Sequence, residues 1–227
     1  MSGLSIHHKQ NFHVIRWVVS LLLLAAIMLY AYFGVRWYNT GELSPLPLPV
    51  AAADATIDET PVTDKLVQAH TVAADEPRYI QIPRLNISQT RVTEVGVTDR
   101  NMLDVPKNID DSAWYAKSAK PGSGVGAVVI DGHNGGVSRD GTFANLGTLR
   151  KDDQISVERG DGKVLTYEVH DVRDMPLDWV NNVGMKEMMY SIDPSKEGLN
   201  LITCSGKWIP KDKVYDRRVL VRATLVE

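Results

Sequence analysis

The chain has 227 residues, 44% hydrophobic and 23% charged, with a formal net charge of −3. That near balance excludes a strongly basic nucleic-acid surface, and no basic patch is interleaved with aromatics as single-strand binding needs. Cys204 is the single cysteine, which excludes an intrachain disulfide framework and a cysteine-rich zinc site.

Lys9 and Arg16 precede an apolar run from Trp17 to Val35 that no charge interrupts. Its length is close to the ~20 residues a helix needs to cross a bilayer. Trp17, Tyr30, Tyr32, Trp37 and Tyr38 lie near its ends, where amphipathic rings favour the membrane interface. The run is longer than a signal-peptide hydrophobic region, and no small-x-small cleavage site follows it. One uncleaved transmembrane helix is expected over 17–35. A modest positive-inside bias puts 1–16 in the cytoplasm and all that follows outside. Residues 36–76 lose all period and are rich in Pro, Ala, Thr and acids. They are expected to form a flexible extracellular linker, on the order of 35 Å root-mean-square in span, in which His70 is solvated.

Residues 77–227, about 150 in number, suffice for one domain with one core. Short Val-, Ile- and Thr-rich runs recur between turn signals: 78–83, 126–132, 153–158, 164–169, 199–204 and 218–226. Gly160-Asp-Gly162 separates two of them as a hairpin turn. Helical patterning is weak, with a turn or two expected at 142–147 and at 185–192. Many short strands with polar turns predict a mostly β domain closed into a barrel, which removes exposed edges.

Three side chains carry chemistry. His133 follows the apolar strand ending Ile130-Asp-Gly and enters a Gly-rich loop. Histidine titrates near neutrality and can shuttle a proton. Cys204 ends the run Leu199-Asn-Leu-Ile-Thr-Cys, before a loop expected over Lys207–Asp216. Arg218 opens the last run and offers a fork of donors that stays charged. Each taken alone has a plainer reading: a turn histidine, a packed thiol, a solubilising arginine. Together, on one barrel rim, they are the parts of acyl transfer through a thioester. His170 lies inside a strand pattern and Arg217 beside Arg218; both are read as structural or surface residues. The acids Asp110, Asp111 and Glu158 make no readable ligand pattern, so no calcium, other metal or cofactor is expected.

These residues resemble the sortase family. Leu201-Ile-Thr-Cys204 is similar to the segment before the family's nucleophile, and Gly132-His-Asn134 to the segment that holds its histidine. Phe143-Ala-Asn-Leu146 is similar to its short helical stretch, and Arg218, five residues before Ala223, to the arginine of its last strand. The likeness runs from about Tyr79 to Leu225, including Ile80-Gln-Ile-Pro-Arg-Leu85 and Trp114-Tyr115.

The resemblance implies an eight-stranded sortase-type barrel with short helices at the outer face of a Gram-positive-type envelope. It implies a cysteine transpeptidase that cuts an LPxTG-like sorting signal between Thr and Gly. The thioacyl group then passes to a cell-wall precursor amine or a pilin lysine. Cys204, His133 and Arg218 are its expected catalytic residues, and Thr203 an expected substrate contact. A housekeeping-type or class E/F-like enzyme is favoured over a pilin polymerase, since the segment before the barrel offers no aromatic plug. Two rival readings stay open: a membrane-tethered thiol hydrolase, and a non-catalytic β-domain that binds a partner and buries an inert Cys204.

Overall fold

The structure is a computed structural model that describes residues 10–45, 56–99 and 102–226. The chain divides into two units, the first mainly within Met1–Val50 and the second from Ala51 onward. The first unit holds one helix, α1, Gln10–Thr40. Its stretch His13–Thr40 contains an 18-residue window of mean hydropathy 2.4 and is long and apolar enough to cross a membrane. The helix runs past the expected 17–35 at both ends.

The second unit is a closed barrel in the order β1-β2-β3-β4-β7-β8-β6-β5. The strands are β1 Pro77–Ile82, β2 Ile87–Val95, β3 Ser112–Tyr115, β4 Ala127–Gly132, β5 Gln154–Arg159, β6 Val164–Pro176, β7 Gly198–Ile209 and β8 Val214–Leu225. Two neighbouring pairs, β2/β3 and β4/β7, are parallel. Parallel pairing needs a crossover rather than a tight turn, so each of these pairs is joined by a long segment. The connection from β4 to β7 includes β5 and β6, and its last part, between β6 and β7, carries α3, Leu177–Trp179, a π turn at Val180–Gly184, and α4, Met185–Met188.

Alternation along the strands separates two apolar clusters. Val128 and Ile130 of β4, Leu199 and Leu201 of β7, and Val219 and Val221 of β8 point into the barrel core. Ile202 of β7 and Leu220 of β8 point the other way, where Val180 and Met188 of the β6–β7 crossover cover them. Each such buried side chain contributes about 1.5–3 kcal/mol over leaving it in water. The second cluster holds the crossover against the outside of β7 and β8, and so builds one wall of a groove.

Several expectations are corrected. The runs at 78–83, 126–132, 153–158, 164–169, 199–204 and 218–226 are strands, and Gly160–Gly162 turns between β5 and β6 with Gly162 at φ 84°. Yet β7 does not end at Cys204 but runs on to Ile209, and Arg218 is the fifth residue of β8 rather than its first. Two strands, β2 and β3, went unread, and helix begins at Leu177 rather than Met185.

The stretch expected to be a flexible linker to residue 76 is, from Thr56, hydrogen-bonded to the barrel. Asp58 NH donates to Lys107 O (3.2 Å), and Ile109 NH donates to Asp58 O (2.9 Å). Asn108 Nδ2 donates to Thr60 O at 2.8 Å. A short helix, α2, spans Asp64–Gln68. His70 is half-buried rather than solvated, with Nε2–H donating to Val92 O at 2.9 Å.

Candidate active site

The strand order sets three chemical groups side by side. β4, β7 and β8 are consecutive in the barrel. The parallel register of β4 and β7 ends with Asp131 opposite Ile202, so His133 emerges beside Cys204. In β8, Arg218 lies opposite Met175 of β6. Parity then fixes the face. Cys204 lies two residues after Ile202 and Arg218 two before Leu220, so both project from the outer face of the barrel. Cys204, His133 and Arg218 all line one groove of about 1380 Å³, as does Asp131. Leu103 and Val105 of the β2–β3 loop and Val180, Met185 and Met189 of the β6–β7 crossover supply apolar walls.

The histidine is held from two sides. Gly141 packs so closely under the histidine backbone that a Cβ there would lie 2.3 Å from His133 O. Phe143, fully buried in the core, donates its NH to His133 O at 2.8 Å. The Phe143–Leu146 stretch thus works as a buttress. The ring itself is 8% exposed, and Nε2–H donates to the carbonyl of Pro106 at 2.6 Å. A carbonyl only accepts, so Nε2 carries a hydrogen and the basic nitrogen of the neutral ring is Nδ1.

Arg218 is half-buried, and its Nη1 donates to Tyr215 O (2.9 Å) and Arg217 O (2.8 Å). Those bonds orient the guanidinium without neutralising it. Among the described residues Nε and Nη2 of the fork make no hydrogen bond. Cys204 is half-buried. Burial pushes its thiol up to about 11, Arg218 pulls against this, and the Asp131 carboxylate adds to it. The resting group near pH 7 is therefore a thiol, and a base must take its proton when it reacts.

Thr203, the expected substrate contact, adjoins Cys204 on β7. It is 2% exposed, and its hydroxyl donates to Gly132 O at 2.7 Å. The side chain ties β7 to the end of β4, directly before the histidine, and lies inside the barrel wall rather than on the groove. His170 and Arg217 are placed elsewhere. His170 Nε2 is 2.7 Å from Thr224 Oγ1, and Arg217 pairs with Asp174 at 3.2 Å. Asp110 pairs with Arg139, Asp111 with Arg91, and Glu158 lies 3.9 Å from Arg78. Among the described residues no three metal-ligating side chains cluster.

Sequence reasoning missed Asp131, whose signal was a charge inside an apolar strand. It also missed the Pro106 carbonyl, for which no sequence signal exists. A third omission is the clasp formed by Glu59, whose carboxylate accepts from the NH groups of Val137 and Ser138 and from the Ser138 hydroxyl, on the loop that follows His133.

The comparisons come to the same fold. No curated protein matches the chain. Among solved structures it is similar to a lid mutant of sortase A from Corynebacterium diphtheriae, with 26% identity, 68% of this chain and 73% of that one covered, and a TM-score of 0.49. It is also similar to sortase C from Streptococcus pneumoniae, with 16% identity, 79% and 81% covered, and a TM-score of 0.50. The Sortase domain model matches residues 80–226, nearly the whole barrel from β1 to β8, and the chain belongs to the sortase family.

Proposed function

We propose that this chain is a membrane-anchored sortase transpeptidase with Cys204 as nucleophile, His133 as acid and base, and Arg218 as oxyanion stabiliser. The observation that carries this reading is the lining of one groove by all three groups from adjacent strands. Cys204 Sγ, losing its proton to the imidazole, attacks the carbonyl carbon of the scissile peptide. A tetrahedral oxyanion forms, to which the Arg218 guanidinium donates. The C–N bond then breaks, and His133 gives a proton to the leaving amine. The thioester is attacked by an incoming amine, which yields its proton to His133, and the C–S bond breaks to restore Cys204. Thr203 serves by position: its bond to Gly132 keeps the histidine loop and the cysteine strand in register.

The substrate is an LPxTG-like sorting signal cut between Thr and Gly, and the acceptor is an amine of cell-wall precursor or a pilin lysine. The apolar walls of the groove suit the apolar start of such a signal. Helix α1 spans the membrane with residues 1–16 cytoplasmic and the barrel outside, in keeping with Lys9 and Arg16 on the inner side. A housekeeping-type or class E/F-like enzyme is the subclass proposed: the described residues that the segment before the barrel places in the groove are Thr56 and Ile57, neither aromatic.

The test uses the full chain in detergent with an LPxTG-type peptide and a glycine-based or lysine-based amine. Cys204→Ala should remove both cleavage and transfer. His133→Ala and Arg218→Ala should each lower kcat/KM by roughly 10²-fold or more. Undiminished turnover in Cys204→Ala rejects the assignment, and cleavage that ignores added amine reduces it to a hydrolase.

A further inference from the structure

Among the described residues of the barrel unit three acids are buried, and two of them have built partners. Glu197, 1% exposed, accepts from Tyr167 Oη (2.6 Å) and from the NH groups of Gly122 (2.8 Å) and Gly124 (2.7 Å). Asp111, 5% exposed, takes a two-pronged pair from Arg91 at 2.8 and 2.7 Å. Both fit the rule that buried charge is paired or capped. Asp131, 8% exposed, is different. Burial disfavours its charge, and Arg218 and, after it, the backbone NH of Gly132 favour it.

The groups that face Asp131 come from every side. β3 offers Ala113 opposite it and β7 offers Ile202. Beyond these are the Cys204 thiol on β7, Arg218 on β8, Asp104 of the β2–β3 loop and His133 two residues on, all on the same groove. Asp131 and Cys204 therefore share one cation. Arg218 stabilises an anion on either, and an anion on one disfavours an anion on the other.

We propose that Asp131 is a positioning residue of the reaction centre, whose carboxyl competes with Cys204 Sγ for the field of Arg218 and so ties thiolate formation to its own ionisation state. This rests on the reading of Cys204 as nucleophile. Below its ionisation Asp131 is neutral, and Arg218 acts on sulfur alone. Above it, the carboxylate draws part of that field and the thiol holds its proton more tightly.

Cys204 is the only cysteine, so alkylation by iodoacetamide reads its ionisation directly, with no peptide substrate needed. In the full chain in detergent, Asp131→Asn should lower the alkylation midpoint by about one pH unit. Burial and Asp104 push the Asp131 carboxyl up to about 7, so the wild-type plot of log rate against pH should flatten near pH 7, and the variant's should not. Histidine in general ionises near neutrality, so His133 must be removed as a source of the flattening. His133→Gln removes that contribution, and the flattening should persist in it, a readout that does not depend on Asp131→Asn folding. An unchanged midpoint in folded Asp131→Asn, or a straight line in His133→Gln, overturns the proposal. A chain that shows these shifts but fails to transfer acyl groups rejects the proposed function and leaves the coupling standing.

Discussion

The inner and outer faces of β4, β7 and β8 are made by the same strands and do opposite things. Inside, Val128, Ile130, Leu199, Leu201 and Val221 are wholly removed from water and belong to one apolar cluster. Outside, one residue along, the strands carry Asp131, Cys204 and Arg218, with Ile202 and Leu220 sealed under the crossover helices. The alternation of a strand lets a rigid apolar layer hold polar groups in place without solvating them. The difference teaches that the inner face supplies stability that does not depend on pH, while the outer face holds ionisable groups through which pH acts. Substitutions on the two faces should therefore differ in how their effects respond to pH.

The comparison breaks most visibly at Leu201. Leu201→Ala leaves a cavity in the barrel core and should cost about 2–5 kcal/mol in urea unfolding, with activity in the remaining folded protein retained. A loss of activity at unchanged stability would contradict the division of labour.

Next in size is the outer face. The Asp131 carboxyl sits at about 7 in the folded chain against an ordinary 3.8. Between those values the folded state keeps a proton that the unfolded state has released. Wild-type stability therefore falls as pH rises through that window, and the penalty is full above it. Asp131→Asn cannot ionise, so its advantage over wild type should grow from pH 4 to pH 8, reaching on the order of 2–4 kcal/mol. A stability difference flat in pH would show that the carboxyl is not held back from ionising.

Thr203 lies on the boundary between the two faces. Thr203→Val removes its bond to Gly132 O, costing about 1 kcal/mol. Because the bond registers β4 against β7 beside the histidine, kcat should fall more than KM rises. Equal effects on both would assign the residue to substrate binding instead. The smallest change expected is at Glu59. Glu59→Ala releases the loop after His133, and hydrogen exchange at Val137 and Ser138 NH should quicken while barrel strands keep their protection.

What was legible in the sequence follows the same division. Strands with strong apolar content, such as β4 and the first half of β7, were read correctly because burial writes hydrophobicity into them. β2 was missed because Val92 is its one buried residue, and β3 because it is four residues long. The second half of β7 was missed because Ser205-Gly206-Lys207 leaves the core, so its pairing owes nothing to burial. The segment from Thr56 read as a linker for a related reason: its order comes from backbone and carboxylate hydrogen bonds to the barrel, which composition does not encode. The meeting of Cys204, His133 and Arg218 on one groove was legible through motif spacing. Asp131 was in plain view two residues before the histidine, yet its meaning needed the strand order that brings Arg218 of β8 to the same groove.

The central claim, one reaction centre built on the outer face around Cys204, is tested most directly by intact-mass spectrometry of the full chain quenched during turnover of an LPxTG-type peptide. The account predicts an acyl adduct on Cys204 that disappears on adding an amine and never forms in Cys204→Ala. Turnover that continues in Cys204→Ala, or a covalent adduct that maps to any other residue, would contradict it.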